Sequence, residues 1–259
     1  MDRSEDLAAL ARDLREADTA IALTGAGLSA ASGIPTFRGE DGIWGEEFSE
    51  ADFHVSRFER DPDGFWEDRI DLNEVLRPDG IEPNPAHEAL AALENAGVLD
   101  AVVTQNTDGL HDAAGTGTVL ELHGNAERVV CHGCGRTKPA TEIHDRIRSG
   151  ENPPTCSECA GIYKPDVVLF GELLPRDVLK RARRLAEAAD VIVAAGSSLQ
   201  VDPAASLPSY QRDGVLAIVN YERTRYASRA TYTFREDVTE LLPTIASLVL
   251  EPDGNRERE

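Results

Sequence analysis

Lysine is nearly absent from this 259-residue chain, occurring at Lys138, Lys164 and Lys180 alone, and every other basic residue is arginine. Positive charge is scarce overall: 26 Lys and Arg stand against 47 Asp and Glu, for a formal net charge of −21. Nucleic acids and anionic membrane surfaces are therefore excluded as main partners, because their phosphates would be repelled before contact. We expect such an acidic, lysine-poor surface in a salt-rich cytoplasm, where salt screens the repulsion between like charges.

The chain also lacks an apolar run of the ~20 residues that a membrane span needs. Its charged first segment, 1–16, has no apolar core of the kind found in signal peptides. We therefore expect a cytoplasmic protein, and in that compartment its four cysteines are better explained as metal ligands or redox groups than as disulfides. The length and the 41% hydrophobic content suit one large domain, or one domain plus a small module.

Short apolar segments alternate with amphipathic ones along the chain. We predict buried strands at 19–24, 101–104, 167–170, 191–195 and 216–219, because parallel strands that are covered on both faces carry continuous apolar runs. Helices are predicted over 2–17, from 85 to 97 and from 175 onward, where apolar residues recur at helical spacing. This alternation predicts an α/β fold with a Rossmann-like, doubly wound parallel sheet.

Two segments interrupt this alternation and are predicted to form a smaller module beside the sheet. Residues 39–78 carry scattered aromatic and many charged side chains and are predicted to be a helical insertion, and residues 127–161 contain all the cysteines. The Rossmann-like domain is then discontinuous and comprises 1–38, 79–126 and 162–250. The charged segment 251–259 is predicted to be a disordered tail.

The cysteines form two Cys-x-x-Cys pairs, Cys131 with Cys134 and Cys156 with Cys159, separated by 21 residues. Two such pairs can close a tetrahedral four-thiolate site with Zn–S distances of about 2.3 Å. Because four sulfur ligands leave no open position for water, we predict one structural Zn²⁺ per chain rather than a catalytic ion. The flanking His132 and His144 are interpreted as surface residues rather than as competing ligands.

A segment rich in small residues directly follows the first predicted strand, with the sequence Gly25-Ala26-Gly27-Leu28-Ser29-Ala30. This pattern lets a pyrophosphate approach backbone N–H groups at a helix N-terminus, although it also suits a simple packing turn. The segment 32–38 ends the helix early, and no acidic residue about 20 positions on closes a second strand to hold a ribose. Hydride transfer by an NAD(P) oxidoreductase is therefore not the leading interpretation.

Several motifs stand in the order found in the sirtuins. They are the run from Thr24 to Arg38, Gln105-Asn106-Thr107-Asp108, His123-Gly124, the two cysteine pairs, Phe170-Gly171-Glu172, Gly196-Ser197-Ser198 and Asn220. From about residue 19 to residue 243 the chain resembles this family of NAD-dependent protein lysine deacylases. The resemblance implies that NAD, as co-substrate, and an acyl-lysine protein bind in a cleft between a Rossmann-type domain and a small zinc module.

The resemblance also implies which residues form the NAD site. They are Gly25, Ala26, Gly27, Ser29, Ala30, Pro35, Thr36, Phe37, Arg38, Trp44, Gln105, Asn106, Thr107, Asp108, Gly196, Ser197, Ser198, Asn220, Tyr221, Glu222 and Val238. Arg38 would pair with a phosphate, and Phe37 would shield the reactive C1′ atom from water. Taken singly, each residue fits an ordinary turn or core position; their combination favours a binding site.

In the family reaction the nicotinamide–ribose bond breaks, the acyl oxygen attacks C1′, and a histidine base then activates a ribose hydroxyl. The resemblance implies that His123 is this base, a role that an imidazole with a pKa near ~6.5 suits. Asn106 would hydrogen-bond the nicotinamide ribose or a water molecule, and Asp108 would hold the nicotinamide carboxamide. The expected products are nicotinamide and O-acyl-ADP-ribose.

On the acyl-lysine side, Val167, Val168 and Phe170 match the segment that pairs with the substrate backbone. Trp66 and Arg69 stand where members that remove succinyl or malonyl groups carry a Tyr-x-x-Arg pair, although Trp66 offers only an indole N–H. A helix that simply has one apolar and one charged face explains these two residues equally well. We expect deacetylation as the main activity, with longer or acidic acyl groups such as succinyl as secondary substrates.

Two residues depart from the family pattern: Thr36 and Thr107 replace the more usual Asp and Ile. Three other functions stay open. An NAD(P) oxidoreductase with a zinc module would form NADH, and a non-catalytic NAD or ADP-ribose sensor would bind without releasing nicotinamide. Within the family, mono-ADP-ribosyl transfer shares the first bond cleavage.

Overall fold

The computed structural model describes residues 2–36, 43, 48–77 and 80–251. The helices in these ranges are α1 (Arg3–Glu16), α2 (Ala26–Ser29), α3 (Val55–Arg60), α4 (Pro62–Leu76), α5 (Pro85–Asn95), α6 (Leu110–Ala113), α7 (Ala140–Arg148), α8 (Arg176–Ala188) and α9 (Val238–Leu250). The strands are β1 (Ala20–Thr24), β2 (Ala101–Thr104), β3 (Val119–Glu121), β4 (Gly124–Cys131), β5 (Thr137–Pro139), β6 (Tyr163–Val167), β7 (Val191–Ala195), β8 (Val215–Val219) and β9 (Tyr232–Phe234). Short 3₁₀ segments lie at Ala30–Ser32 and Ala204–Tyr210.

The larger sheet of the described chain has six parallel strands in the order β3-β2-β1-β7-β8-β9. This confirms the predicted Rossmann-like, doubly wound α/β fold. Every residue of β1, β2 and β7 is buried, as expected of parallel strands covered on both faces. The strand order reverses between β1 and β7, and sheets of this kind bind ligands at the carboxyl ends of the strands beside such a reversal.

Two apolar layers hold this sheet between its helices. On one face, Leu10 of α1, Leu90 of α5 and Leu241 of α9 belong to a single buried cluster. On the other face, Ala182 of α8 and Leu207 of the 3₁₀ segment join the second cluster. The sheet is therefore rigidly packed, and its carboxyl edge is a fixed platform for the loops that follow the strands.

Helix α5 begins as the sequence predicts. The side-chain oxygen of Asn84 accepts hydrogen bonds from the backbone N–H groups of Ala86 and His87, and Pro85 occupies the first helical position. The side-chain amide of Asn84 also donates to the carbonyl of Leu28 at 2.8 Å. The cap of α5 is thus tied to the small-residue turn after β1, which it helps to position.

The prediction of a buried strand at 167–170 in the main sheet is wrong. Val167 ends β6, which pairs antiparallel with β4 in a separate sheet, and Phe170 forms only an isolated bridge with His54. The segment is partly buried, but its backbone pairs with β4 of the smaller module, with His123 after β3 and with Phe53 rather than with a strand of the main sheet. Strand β9 at the edge of the main sheet was not predicted, since three residues are too few to give a recognisable apolar run.

The smaller module is built on a three-stranded antiparallel sheet in the order β5-β4-β6. This sheet shares one apolar core with α4 and α7, which includes Phe65, Trp66, Ile143 and Tyr163. Its strands extend beyond both ends of the predicted segment 127–161, while α3 and α4 lie within 39–78. The exact domain boundaries stay predictions. A membrane-spanning helix is not found among the described residues.

The loops that follow β1 and β7 touch through their backbones. The N–H of Gly27 donates to the carbonyl of Gly196 at 2.8 Å. Gly196 has a φ of 59°, and a Cβ atom added there would lie 2.2 Å from the nitrogen of Leu28. A Cβ on Gly27 would lie 2.8 Å from the Gly196 carbonyl oxygen. Both positions therefore require glycine.

Replacing Gly196 with alanine is expected to lower the free energy of unfolding by about 3 kcal/mol or more, because the added methyl group meets backbone atoms that cannot rotate away. Denaturant titration at constant salt measures the loss. Gly97→Ala is the matched control: Gly97 has a φ of 75° but nothing within 4 Å of an added Cβ. The control should lose only the cost of a left-handed alanine, about 1 kcal/mol. Equal losses of unfolding free energy in the two variants would show that the loops after β1 and β7 can move apart to accommodate the added methyl group.

Candidate active site

Four of the predicted NAD residues directly follow strands of the main sheet, at its carboxyl edge. Gly25 follows β1, Gln105 follows β2, Gly196 follows β7 and Asn220 follows β8. Because the strands are parallel, these loops meet at one edge. The side-chain amide of Gln105 donates to the hydroxyl of Ser197 at 2.9 Å, which joins the loops after β2 and β7 directly.

A chain of hydrogen bonds connects three of these polar side chains. The amide nitrogen of Asn106 donates to the carbonyl of Gly25 at 3.1 Å and to the hydroxyl of Ser29 at 3.0 Å. Ser29 in turn donates to a carboxylate oxygen of Asp108 at 2.7 Å. Since a carbonyl can only accept, the Gly25 contact fixes the orientation of the amide. Both amide hydrogens are then used, and the Oδ1 atom of Asn106 is left to accept from a ligand hydroxyl or water.

Two buried histidines stand behind this chain. The Nδ1 atom of His87 accepts from the N–H of Asn84 at 3.3 Å, so its Nε2 carries the hydrogen that faces the hydroxyl of Ser29 at 3.4 Å. His111 places Nε2 2.9 Å from the hydroxyl of Thr24, and the two rings lie 5.0 Å apart. Burial lowers the pKa of His87 to about 4 and that of His111 to about 3. Both rings are therefore neutral at pH 7.

His123 follows β3 on the same edge. Its Nδ1 atom lies 2.9 Å from the carbonyl of Gln105, and because that oxygen only accepts, Nδ1 must carry the proton of the neutral ring. The lone pair of Nε2 is then free to act as a base. Burial lowers the pKa of His123 below its ordinary value, against the opposing effect of the Gln105 hydrogen bond. The imidazole is thus held neutral, in one tautomer.

His123 opens onto a groove of about 790 Å³ that also contacts the predicted peptide-binding segment, including Val168 and Phe170. The carbonyl of His123 accepts from the N–H of Val168 at 2.9 Å. The segment keeps its shape through Lys164, whose ammonium donates to the carbonyl of Val167 at 2.7 Å and to the carboxylate of Glu172 at 2.9 Å. This role of Lys164 was not predicted from the sequence. The occurrence of a lysine here, in a chain that has only three, could have indicated it.

A smaller cavity, of about 30 Å³, lies between the small-residue turn and α4. It is lined by Ala26, Ser29, Ile34, Pro35, Arg69, Asn73, Leu76, Arg77, Asn106, Thr107, Asp108 and Ala126. Arg69 is 6% exposed, and its Nε atom has no hydrogen-bond partner among the described residues. Burial and the nearby charge of Arg77 lower the pKa of Arg69 to about 10. A buried guanidinium whose Nε has no partner within the described part of the chain makes this cavity favourable for an anionic group.

Trp66 and Arg69 do not share this cavity. Trp66 is 0% exposed, and its indole N–H donates to the carbonyl of Tyr163 at 2.8 Å, so that donor is already used. The ring packs edge-on against His144 at 6.1 Å. His144 is therefore buried, and the expectation that it lies at the surface is wrong: it fills space beside Trp66, and burial and Arg69 lower its pKa to about 4. His132 is exposed, as expected.

The remaining predicted NAD residues include exposed residues, a buried residue and residues outside the described part of the chain. The side chain of Asn220 donates to the carbonyl of Glu222 at 2.9 Å, and Ser198, Tyr221 and Glu222 are exposed. Val238 begins α9 and is buried in one of the two sheet cores, so its side chain presents no surface to the site. Phe37, Arg38 and Trp44 lie outside the described residues.

The four cysteines come together at one end of the smaller module. Their sulfur atoms all lie within 4.8 Å of one another, with 3.5 Å between Cys131 and Cys159 and 3.9 Å between Cys134 and Cys156. A tetrahedral Zn²⁺ site with 2.3 Å bonds has sulfur–sulfur distances of about 3.8 Å. The backbone N–H of Glu158 points at Cys156 and lowers the pKa of that thiol to about 6, which favours the thiolate. The residues present therefore fit a structural Zn²⁺.

A Rossmann-type sheet, a neutral histidine at its carboxyl edge and a four-cysteine cluster on a separate small sheet together define a class of zinc-bearing, NAD-using enzymes. The sequence comparison is more specific. Residues 25–203 match the Sir2 family, and the chain belongs to that family. The resemblance to the sirtuins that the sequence motifs gave is confirmed.

The chain is 54% identical over 245 residues to an NAD-dependent protein deacetylase of Haloarcula marismortui, covering 93% of this chain and 94% of that one. It is 44% identical over 241 residues to an NAD-dependent protein deacylase of Thermococcus kodakarensis, covering 91% and 92%. A solved structure described as "Sir2-p53 peptide-NAD+" superposes with a TM-score of 0.82 at 36% identity, covering 95% of this chain and 97% of that one.

Loss of a cysteine ligand is expected to open the smaller module, because Cys131 and Cys156 lie in the same core as Trp66. In a Trp44→Phe background Trp66 is the remaining tryptophan of two. There, Cys134→Ser should lose bound zinc and shift the Trp66 emission to longer wavelength as the indole meets water. Elemental analysis and fluorescence measure the two effects. His132→Gln, at an exposed neighbour of the cluster, should retain both; one full equivalent of zinc in Cys134→Ser would contradict the four-cysteine site.

Proposed function

We propose that the chain catalyses the NAD-dependent deacylation of lysine side chains in proteins and releases nicotinamide and O-acyl-ADP-ribose. The observation that carries this proposal is the state of His123: its Nδ1–H is bonded to the carbonyl of Gln105, its lowered pKa keeps the ring neutral at pH 7, and the residue lines a groove of about 790 Å³. The activities named for the relatives from Haloarcula and Thermococcus support it.

NAD is a co-substrate in this reaction and supplies the ribose that accepts the acyl group. His123 Nε2 takes the proton of the attacking ribose hydroxyl, which its lowered pKa allows throughout the neutral range. Asn106 offers its Oδ1 atom to a ribose hydroxyl or water. Asp108 accepts one hydrogen bond on each carboxylate oxygen, from Ser29 and from the N–H of Leu110, and a carboxylate has lone pairs left for the nicotinamide carboxamide.

The substrates are proteins that carry acyl-lysine. Val168 and Phe170 line the groove beside His123, where an extended segment of substrate would pass. The solved Sir2 structure with a p53 peptide and NAD⁺ supports this assignment. A cytoplasmic location and the absence of direct nucleic-acid binding stay predictions; reduced, zinc-binding thiols favour the former.

Acetyl is the expected main acyl group, and Arg69 favours acidic acyl groups as additional substrates. The cavity beside Arg69 also contacts Asn106 and Asp108 of the predicted nicotinamide site. Its volume of about 30 Å³ suits a small carboxylate that would give the buried guanidinium a partner. Trp66, whose indole N–H is bonded to Tyr163, takes no part in this proposal.

The central test replaces His123 with Asn, which can still donate to the Gln105 carbonyl but cannot accept a proton at this position. The variant is incubated with NAD and an acetyl-lysine peptide, and all products are weighed by mass spectrometry. We expect the rate of O-acetyl-ADP-ribose formation to fall about a hundredfold or more. His132→Gln should react at the wild-type rate. Undiminished turnover of His123→Asn, or formation of NADH by the wild type, would overturn the proposal.

The same assay gives a pH dependence. The base must be unprotonated, and burial lowers the pKa of His123 from its ordinary value of 6.5, so kcat is expected to fall to half on acidification only at a pH below 6.5. A solvated imidazole would instead lose half its rate near that pH. A kcat that halves at or above pH 6.5 would contradict a buried base.

Arg69→Met tests the acyl range. We expect kcat/KM for a succinyl-lysine peptide to fall about tenfold or more, while kcat/KM for the acetyl peptide changes about twofold or less. The acyl carboxylate would lose the Arg69 guanidinium, and Arg77, the other arginine of the lining, is already paired with Glu127. Arg60→Met, at an exposed arginine of the preceding helix, is the matched control. Equal losses for both peptides would assign Arg69 a purely structural role.

A further inference from the structure

The groove beside His123 has a charge opposite to that of the protein as a whole. Four basic residues of α8 line it, Arg176, Lys180, Arg183 and Arg184, in a chain whose formal net charge is −21. Arg176, Lys180 and Arg184 recur every fourth residue and so lie on one face of the helix. We call these four residues the α8 basic stripe.

The carboxylates in the same groove offset little of this charge. Glu172 accepts from Lys164 at 2.9 Å, and Asp202 accepts from Arg225 at 2.8 Å. Neither of these two cations lines the groove. Of the three acidic residues in the lining, Glu187 alone is left to face the stripe.

The stripe itself is not neutralised within residues 2–36, 43, 48–77 and 80–251, where none of its four members forms an ion pair. Arg176, Lys180 and Arg184 are exposed. The guanidinium of Arg183 lies over the ring of Tyr210 at 5.3 Å, and its buried Nε has no hydrogen-bond partner in this part of the chain. Like charges at this spacing repel one another and destabilise the helix, so the stripe favours binding of an external anion.

The position of the α8 basic stripe indicates which of three anions it binds: an acidic substrate segment, the phosphates of NAD, or nucleic acid. The groove is lined by His123 and by the peptide-binding residues Val168 and Phe170, but not by Gly25, Gly196 or the other small residues of the predicted NAD loops. The chain that presents an acyl-lysine to His123 must therefore run past the stripe, whereas the phosphates of NAD would lie elsewhere. Nucleic acid is disfavoured because the rest of the molecule repels it.

We propose that the α8 basic stripe binds acidic residues that flank the acyl-lysine in the substrate protein. The proposal rests on the proposed deacylase function and names the class of sequence that the enzyme prefers. In concentrated salt the Debye length is only about 3 Å, so the preference depends on contact ion pairs rather than on long-range attraction. Arginine, with its planar fork of donors, forms such pairs with carboxylates in bidentate geometry.

The test uses three acetyl-lysine peptides of equal length, with Asp and Glu, Asn and Gln, or Arg at the flanking positions. Nicotinamide release gives kcat and KM at about 0.2 M and about 2 M KCl. We expect the KM of the acidic peptide to be about fivefold or more below that of the Asn/Gln peptide at both concentrations, with similar kcat. Equal KM values for the acidic and neutral peptides would overturn the proposal.

Two variants locate the preference. Lys180→Gln combined with Arg184→Gln should raise the KM of the acidic peptide to that of the neutral one and leave the neutral peptide unchanged, and Lys180→Arg should keep the preference. Arg181→Gln is the matched control, because Arg181 is an exposed cation of the same helix that does not line the groove. If Arg181→Gln lost the preference for the acidic peptide to the same extent, the preference would come from the overall positive charge of the helix, which would contradict a binding stripe.

Binding is measured separately, by fluorescence anisotropy of labelled peptides, so that the two proposals fail in different ways. Loss of deacetylation with every peptide would overturn the deacylase function, and the anisotropy ranking would still decide the preference for acidic sequence. Turnover of all peptides without a difference in affinity would overturn only the stripe. Competition by duplex DNA at the same charge concentration would also count against an acidic protein segment.

Discussion

The hydrogen bond from the N–H of Gly27 to the carbonyl of Gly196 fixes the separation of the loops after β1 and β7, and the site is assembled outward from it. On one side, the turn that contains Gly27 presents Ser29 to Asn106 and Asp108. On the other, Ser197 holds the side chain of Gln105, whose carbonyl fixes the tautomer of His123. The imidazole that follows β3, the proposed catalytic base, is therefore oriented by a backbone contact two strands away, and a side chain at either glycine would disturb both branches.

The sequence is sufficient to predict the parts of the fold that depend on local chemistry. Continuous apolar runs predict β1 and β7 because both faces of a central parallel strand are buried, and the Asn84–Pro85 cap predicts the start of α5. It does not predict the sheet to which 167–170 belongs. Apolarity reports burial but not hydrogen-bond partners, and the partners of this segment, His123, Phe53 and strand β4, are distant in sequence.

In the candidate site, too, local features can be predicted from the sequence, whereas features that depend on residues distant in sequence cannot. The motifs predict which residues follow the strands, and the described ones among them do meet at one edge of the sheet. They do not predict that Trp66 and Arg69, three residues apart on α4, separate into a core position and a cavity position. That choice is made by the carbonyl of Tyr163, which takes the indole N–H, and by His144, which fills the space beside the ring. A histidine on a helix gives no sequence signal of such burial, because its type is common both inside and at the surface.

The distribution of the few cations supports the proposed positions of the anion-binding sites. Over most of the surface the excess of acidic residues is unfavourable to phosphates and carboxylates, but in concentrated salt that field extends only a few ångströms. At the proposed sites, anion binding would then depend on groups in direct contact: the backbone around Gly25, the buried guanidinium of Arg69, and the stripe on α8. An acidic exterior is therefore compatible with anion binding at the proposed sites, because screening limits the distance over which the exterior charges act. Lys164 fits this pattern, because its ammonium is buried where it shapes the peptide groove rather than exposed on a surface that retains little lysine.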